Sequence, residues 1–216
     1  MKIFALPSGQ TKPAIFFDMD QTLYTNDEYA RTQTDLPVAR LAKLRGKTFD
    51  QMYGEVNEYR KKWASEHNGQ SISLGNTLLA FGISTEENIR WREELYRPED
   101  YLAVDKKLRS VLQELASRFI LAVVTNNPVS IAVRTLSTLG VHDLLQKIAG
   151  LDTCCLSKPN REILLKAAEL CGVSVDQCIS VGDRYDIDIA LPLELGMGGI
   201  LVDGVEDVYK LPRILL

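Results

Sequence analysis

Two carboxylates two residues apart, Asp18 and Asp20, follow the apolar run Ala14-Ile15-Phe16-Phe17 and precede Gln21, the hydroxyl of Thr22 and the pair Leu23-Tyr24. In extended backbone, side chains two apart share a side, so both acids would be presented together. Acids so placed resist ionising together unless a cation or a proton stands between them. The pair therefore asks for a metal ion, an acid/base role, or both. Asp-x-Asp also occurs in ordinary turns, where Asp is common for conformational reasons, so this stretch alone does not decide between chemistry and a turn.

Further segments carry matching chemistry. Thr125-Asn126 offers a hydroxyl and backbone amides just before an expected helix N-terminus, a setting that favours a phosphate dianion. Lys158, before Pro159, offers a compact positive charge suited to a phosphoryl oxygen. Asp183 and Asp188, in Gly182-Asp183-Arg184-Tyr185-Asp186-Ile187-Asp188, add acids that with Asp18 could hold Mg²⁺, a hard ion that takes oxygen ligands. Singly, each has a plain structural role: a cap for Thr and Asn, a solvated surface position for Lys, a turn or helix start for Asp. Their joint occurrence at expected strand or helix ends favours a functional site.

The elements that must position these residues can be read from apolar spacing. Ala14 to Phe17 lacks polar alternation and predicts a strand buried on both faces. From about Asn26 to about Asp100 the period is helical. Pro37 opens a helix carrying Val38, Leu41 and Leu44, and Gly46 closes it. Thr48 caps the next, with Phe49, Met52, Val56, Tyr59 and Trp63 at spacings of three and four. A short helix spans Leu74 to Phe81, and Ser84 with Glu87 forms a capping box for a last one through Trp91 and Leu95, stopped by Pro98. From Val104 onward, strands at Phe119 to Val124, Lys147 to Gly150, Cys178 to Val181 and Gly199 to Val202 alternate with helices opened at Asp105, Pro128, Pro159 and about Asp186. That alternation predicts a parallel sheet with right-handed crossovers, covered on both faces. The first strand is cut off from its fellows by the helical stretch. The expected division is an α/β core from residues 1–25 and 101–216, with 26–100 a helical domain inserted over the edge where that strand ends. Ligands of open α/β sheets bind outside the carboxyl ends of the strands.

Composition narrows the function classes. The chain has 216 residues, 45% of them hydrophobic, and a net charge of −4 with no basic stripe, which argues against nucleic acid as a ligand. No apolar run approaches the ~20 residues that span a bilayer, so no membrane partner is expected. Met1 to Pro7 holds too short an apolar run for a signal peptide. The cysteines Cys154, Cys155, Cys171 and Cys178 lack zinc-ligand spacing and read as ordinary thiols, consistent with a cytoplasmic protein.

Taken in order, Asp18-Met19-Asp20-Gln21-Thr22, Thr125-Asn126, Lys158-Pro159 and Gly182-Asp183 through Asp188 resemble the motifs of the haloacid dehalogenase-like superfamily, in its phosphatase branch with a helical cap after the first motif (phosphoglycolate phosphatase-like). The resemblance covers essentially the whole chain. It implies a Rossmann-like sheet of order 5-4-1-2-3 and a site between core and cap. It also implies Asp18 as the nucleophile that becomes a phosphoaspartate, Asp20 as general acid and base, and Lys158 as the third member of the catalytic set. Thr125, Asn126 and Lys158 would receive the phosphoryl oxygens. Mg²⁺ would be held by Asp18, the backbone carbonyl of Asp20 and Asp183, with Asp188 acting through water or beside the ligands. Relatives often carry another proline after the Lys-Pro pair, where this chain has Asn160-Arg161. The activity implied is hydrolysis of a small soluble phosphometabolite: phosphoglycolate, a nucleoside monophosphate or a sugar phosphate. Rival readings are a phosphomutase of the same branch, a 2-haloacid dehalogenase, which needs neither Mg²⁺ nor a second acid at Asp20, and a non-enzymatic binding domain, which should tolerate loss of a motif residue. Substrate choice should fall to the helical insert. There Arg45, Lys47, Tyr53, Tyr59, Arg60 and Trp63 are the candidates: Arg45, beside Gly46 at a helix end, reads as a solvated surface arginine or as one that reaches an anionic substrate, while Tyr59 and Trp63 fit packing better.

Overall fold

The computed structural model describes residues 1–6 and 12–216; Pro7, counted above with the N-terminal run, lies outside the described residues. The strands are β1 (Lys2–Ala5), β2 (Ala14–Phe17), β3 (Ile120–Val124), β4 (Lys147–Ala149), β5 (Cys178–Gly182) and β6 (Gly198–Leu201). The helices are α1 (Asp27–Leu44), α2 (Phe49–Glu66), α3 (Leu74–Ala80) and α4 (Thr85–Leu95), then α5 (Lys106–Ala116), α6 (Val129–Thr138), α7 (Leu151–Cys154), α8 (Arg161–Cys171) and α9 (Ala190–Glu194), with further short turns of helix.

All of β2 is buried because both faces of the sheet are covered, and its residues alternate between the layers. Ile15 and Phe17 pack with Leu108 and Leu112 of α5 and with Ala132 and Leu136 of α6. Ala14 and Phe16 pack with Ile163, Leu164 and Ala167 of α8 on the other side. The sheet runs β1-β6-β5-β2-β3-β4. From β2 to β6 the pairs are parallel, and in chain order they take the expected 5-4-1-2-3 arrangement. The addition is β1, an antiparallel edge strand beside β6. It is short and mostly exposed, so it lacks the apolar run that reveals a buried strand.

Register positions the site. Phe17 lies opposite Val123 on one side and Val181 on the other, so Asp18, Thr125 and Asp183 leave the same edge of the sheet. The amide of Asp18 extends the ladder by donating to Val181 O at 2.8 Å.

Helices α1–α4 lie between β2 and β3 and share a hydrophobic cluster of their own, in which Val38, Leu41, Met52, Val56, Leu78 and Trp91 are buried. The helix expected to open at Pro37 in fact starts ten residues earlier and contains Pro37 within its 18 residues. Asn26 caps it by accepting from Tyr29 N. An internal proline has no N–H for the carbonyl four residues back, which here is Gln33 O. The hydroxyl of buried Tyr96, just past α4, takes that carbonyl at 2.6 Å. Thr48 and Gln51 form the full capping box at α2. At α4 only half of the expected box forms: Ser84 accepts from Glu87 N, while the Glu87 side chain accepts from Trp91 Nε1. Helix α8 is capped by Asn160 rather than opened by Pro159, which follows a cis peptide bond. Replacing Tyr96 with Phe leaves Gln33 O without its donor and should cost about 1–3 kcal/mol, read as a lower urea midpoint at unchanged m-value. An unchanged midpoint would contradict this pairing.

Candidate active site

Lys158 is the centre of the strand-end cluster. It is 4% exposed, and its ammonium donates to Asp18 Oδ1 at 2.6 Å, Asp188 Oδ1 at 2.7 Å and Val124 O at 2.7 Å. An ammonium has three hydrogens, and all are committed. Asn126 holds the lysine backbone in place: its Oδ1 accepts from Lys158 N at 2.6 Å and its Nδ2 donates to Lys158 O at 3.3 Å. Thr125, fully buried, accepts at Oγ1 from Asn127 N at 3.1 Å and so shapes the turn into α6.

Asp18, Asp183 and Asp188 each offer an oxygen within 4.8 Å of the others. Asp188 comes this close because residue 182 is glycine: a Cβ there would stand 2.4 Å from Asp188 Cβ. The backbone at Asp188 is also tied, its carbonyl accepting from Ser180 Oγ at 2.7 Å. That carbonyl is free because Pro192, four residues on, has no N–H. The segment expected as one helix from Asp186 accordingly forms a wide π turn over Tyr185–Ile189 before α9 begins.

Burial pushes the Asp18 carboxyl up, Lys158 opposes it, and the charge of Asp188 adds to the rise. Burial and then Asp188 raise Asp183 to about 6. Burial lowers and the paired carboxylates Asp18 and Asp188 raise Lys158, with a net rise. Asp183 Oδ1 is buried without any hydrogen-bond partner; Arg184 Nε stands 4.0 Å away, outside hydrogen-bond range. An orphaned carboxylate oxygen among crowded acids fits a divalent cation that binds through oxygen.

Asp20 lies beside this cluster in a different environment. Its Oδ1 accepts from the Tyr24 hydroxyl and from Gln33 Nε2 at 2.8 Å, and its Oδ2 accepts from Asn127 Nδ2 at 2.8 Å. Asn127 in turn accepts at Oδ1 from Arg92 Nη1 at 2.6 Å. Gln33 belongs to α1 and Arg92 to α4, so the helical insert reaches Asp20 directly and through Asn127. Other contacts close the same seam: Asp186 Oδ2 accepts from Ser71 N at 2.9 Å, and Ser130 Oγ donates to Glu93 Oε1 at 2.7 Å. Between them lies a cavity of about 200 Å³ bordered by Asp20, Gln33, Arg92, Asn126, Asp183 and Arg184, among others.

Residues 12–195 match the haloacid dehalogenase-like hydrolases. The chain belongs to that family. Among curated relatives, it is 26% identical over 88% of its length to a glyceraldehyde 3-phosphate phosphatase of Methanothermobacter thermautotrophicus, covering 85% of that protein. It is 27% identical over 81% of its length to a phosphoglycolate phosphatase of Colwellia psychrerythraea, covering 77% of that protein. Among solved structures, a HAD phosphatase from Thermococcus onnurineus superposes with a TM-score of 0.61 at 19% identity, covering 94% of this chain and 97% of that one, a likeness of fold.

The haloacid dehalogenase-like fold thus gathers Asp18, Asp20, Thr125, Asn126, Lys158, Asp183 and Asp188 at one sheet edge. Arg45 is not brought there. Its guanidinium donates to Phe81 O at 2.7 Å and borders a separate cleft with Lys47 and Glu55. It closes the end of α3 rather than facing Asp20. From sequence, Tyr24 stands in the first motif stretch without a role, and Gln33, Arg92 and Asn127 are not among the expected site residues. Asn127 could have been found as the second asparagine before Pro128, whereas Gln33 and Arg92 lie inside helices with no local signal. Among the described residues no helix is long and apolar enough to cross a membrane.

Proposed function

We propose that the chain is a cytoplasmic, Mg²⁺-dependent phosphomonoesterase acting on a small phosphometabolite through an aspartyl-phosphate intermediate. The observation that carries this reading is the pairing of a buried, lysine-bound carboxylate with a separately held second acid at the same strand end. A dehalogenase would have no use for that second acid. We take residues 26–100 as the cap over a core of residues 1–25 and 101–216, which its separate hydrophobic cluster supports.

Asp18 Oδ1 is held by Lys158, which leaves Oδ2 to attack phosphorus as the bond to the leaving alkoxide breaks. Asp20 gives its proton to that alkoxide. It then takes a proton from the water that attacks the phosphoaspartate, and phosphate leaves as the Asp18–phosphorus bond breaks. Tyr24, Gln33 and Asn127 fix the direction of Asp20; with both its oxygens engaged, the proton is carried on the lone pair they leave over. Thr125, the Asn126 amide and Lys158 receive phosphoryl oxygens, the incoming oxygen displacing one of the contacts Lys158 now makes. Asp18, Asp183 and the Asp20 carbonyl would hold Mg²⁺, with Asp188 fixing Lys158 beside them. Bound there, the ion supplies neutralisation of phosphoryl charge.

Phosphate release from a panel of phosphomonoesters, with Mg²⁺ and after chelation, tests this. Release that chelation lowers by at least ~100-fold and added Mg²⁺ restores is expected. Isomerised sugar phosphate without free phosphate, or halide released from a 2-haloacid without metal, would contradict it.

A further inference from the structure

Arg92 is the buried arginine of the cavity above Asp20. It is 5% exposed. Its Nε donates to Asn88 Oδ1 at 3.0 Å and its Nη1 to Asn127 Oδ1 at 2.6 Å, both neutral amides. Arg40, Arg109 and Arg134, all more exposed, each pair with a carboxylate. Arg92 has no such partner among the described residues. A guanidinium carries five N–H donors in a planar fork that matches a carboxylate, so most of its capacity is unspent. A buried cation without counter-charge is costly unless an anion arrives to pair with it. Asp20 does not fill that role, because the Asn127 amide stands between the two and bonds to each. The Tyr96 ring, with its centroid 5.5 Å from the guanidinium carbon, supports one face of the fork.

We propose that Arg92 receives a carboxylate carried by the substrate, at the end away from its phosphoryl group. The assignment rests on the phosphatase reading above and sharpens it: the substrate is a short phosphorylated acid rather than a phosphorylated aldehyde, sugar or nucleoside. The phosphoryl group sits over Asp18 and Lys158, and the carboxylate spans the cavity to the fork on α4. Because α4 belongs to the insert, such a substrate bridges the two parts of the chain, whereas a neutral monoester touches Arg92 without an ionic bond.

The test compares kcat/KM for phosphoglycolate with kcat/KM for ethyl phosphate, a neutral-tailed monoester of similar size, in the wild type and in Arg92→Met. The wild type should favour phosphoglycolate, and Arg92→Met should lower the ratio of the two constants by roughly 100-fold, mainly through KM for the acid. Arg92→Lys, which keeps the charge but loses the fork, should lower the ratio by a smaller factor, and it carries the test should Arg92→Met fail to fold. An unchanged ratio with both substrates slowed alike would overturn the proposal and make Arg92 a positioning residue acting on Asp20 through Asn127. A wild type without preference for the acid would also overturn it. Failure to release phosphate from any monoester would overturn the phosphatase reading itself, which is a different result from a lost preference.

Discussion

Asp18→Asn is expected to lower kcat for phosphate release by at least about four orders of magnitude, since it removes the nucleophile and with it the covalent route. At 25 °C that factor is about 5.5 kcal/mol of activation free energy. The same change should leave the fold intact. The Asp18 carboxyl is 4% exposed and shares its space with Asp183 and Asp188, with Lys158 as the ammonium between them. An amide of the same shape still accepts the Lys158 hydrogen bond and relieves the repulsion among the acids, so thermal stability without metal should hold or rise. Steady-state kinetics with a thermal melt separate these effects. Retained turnover would remove Asp18 from the nucleophile's role, and a collapsed melt would show that its charge is structural.

Lys158→Met should damage both properties. The ammonium stands between Asp18 and Asp188 at 2.6 and 2.7 Å, and truncating it leaves their buried charges facing each other. Breaking a buried pair in this way costs about 3–5 kcal/mol, a large share of a domain's stability. Arginine should not rescue it. A planar guanidinium cannot direct hydrogens to Asp18, Asp188 and Val124 O as the compact ammonium does. Chemical denaturation measures the loss, and a variant as stable as the wild type would contradict the view that Lys158 offsets the acids.

Much of this site is legible in sequence because its parts sit at element ends. Asp18 follows a run that is apolar throughout and Asp183 a buried run broken only by Ser180, and parallel register then brings Phe17, Val123 and Val181 side by side. Lys158 is legible only in company with those motifs, since nothing local distinguishes it from a surface lysine; its burial comes from the Asn126 side chain clasping its backbone. The support of Asp20 is hidden for a different reason. Gln33 and Arg92 fall within helical periods where a polar residue ordinarily faces water, and only the packing of α1 and α4 over the sheet edge turns them inward.

Proline misleads in the same way. Pro37 resembles a helix start, and the hydroxyl of Tyr96, 63 residues beyond Gln33, makes it tolerable inside α1 by donating to Gln33 O. Around Pro192, Ser180 does the same for Asp188 O. In each case the freed carbonyl belongs to a residue whose side chain reaches the site, so the irregular backbone is tied down where the chemistry needs a fixed direction. The edge strand β1 escaped notice because a short, exposed strand beside a covered sheet needs no apolar run.

The central claim is that phosphate passes through Asp18. During turnover with Mg²⁺ and a hydrolysed monoester, rapid acid quenching followed by borohydride converts an acyl phosphate to the corresponding alcohol, so a phosphorylated Asp18 becomes homoserine. Mass spectrometry of the peptide containing residues 14–24 should find homoserine at position 18 in the turning-over sample and only Asp18 in the sample without substrate. Turnover with unmodified Asp18, or modification at Asp20 instead, would contradict it.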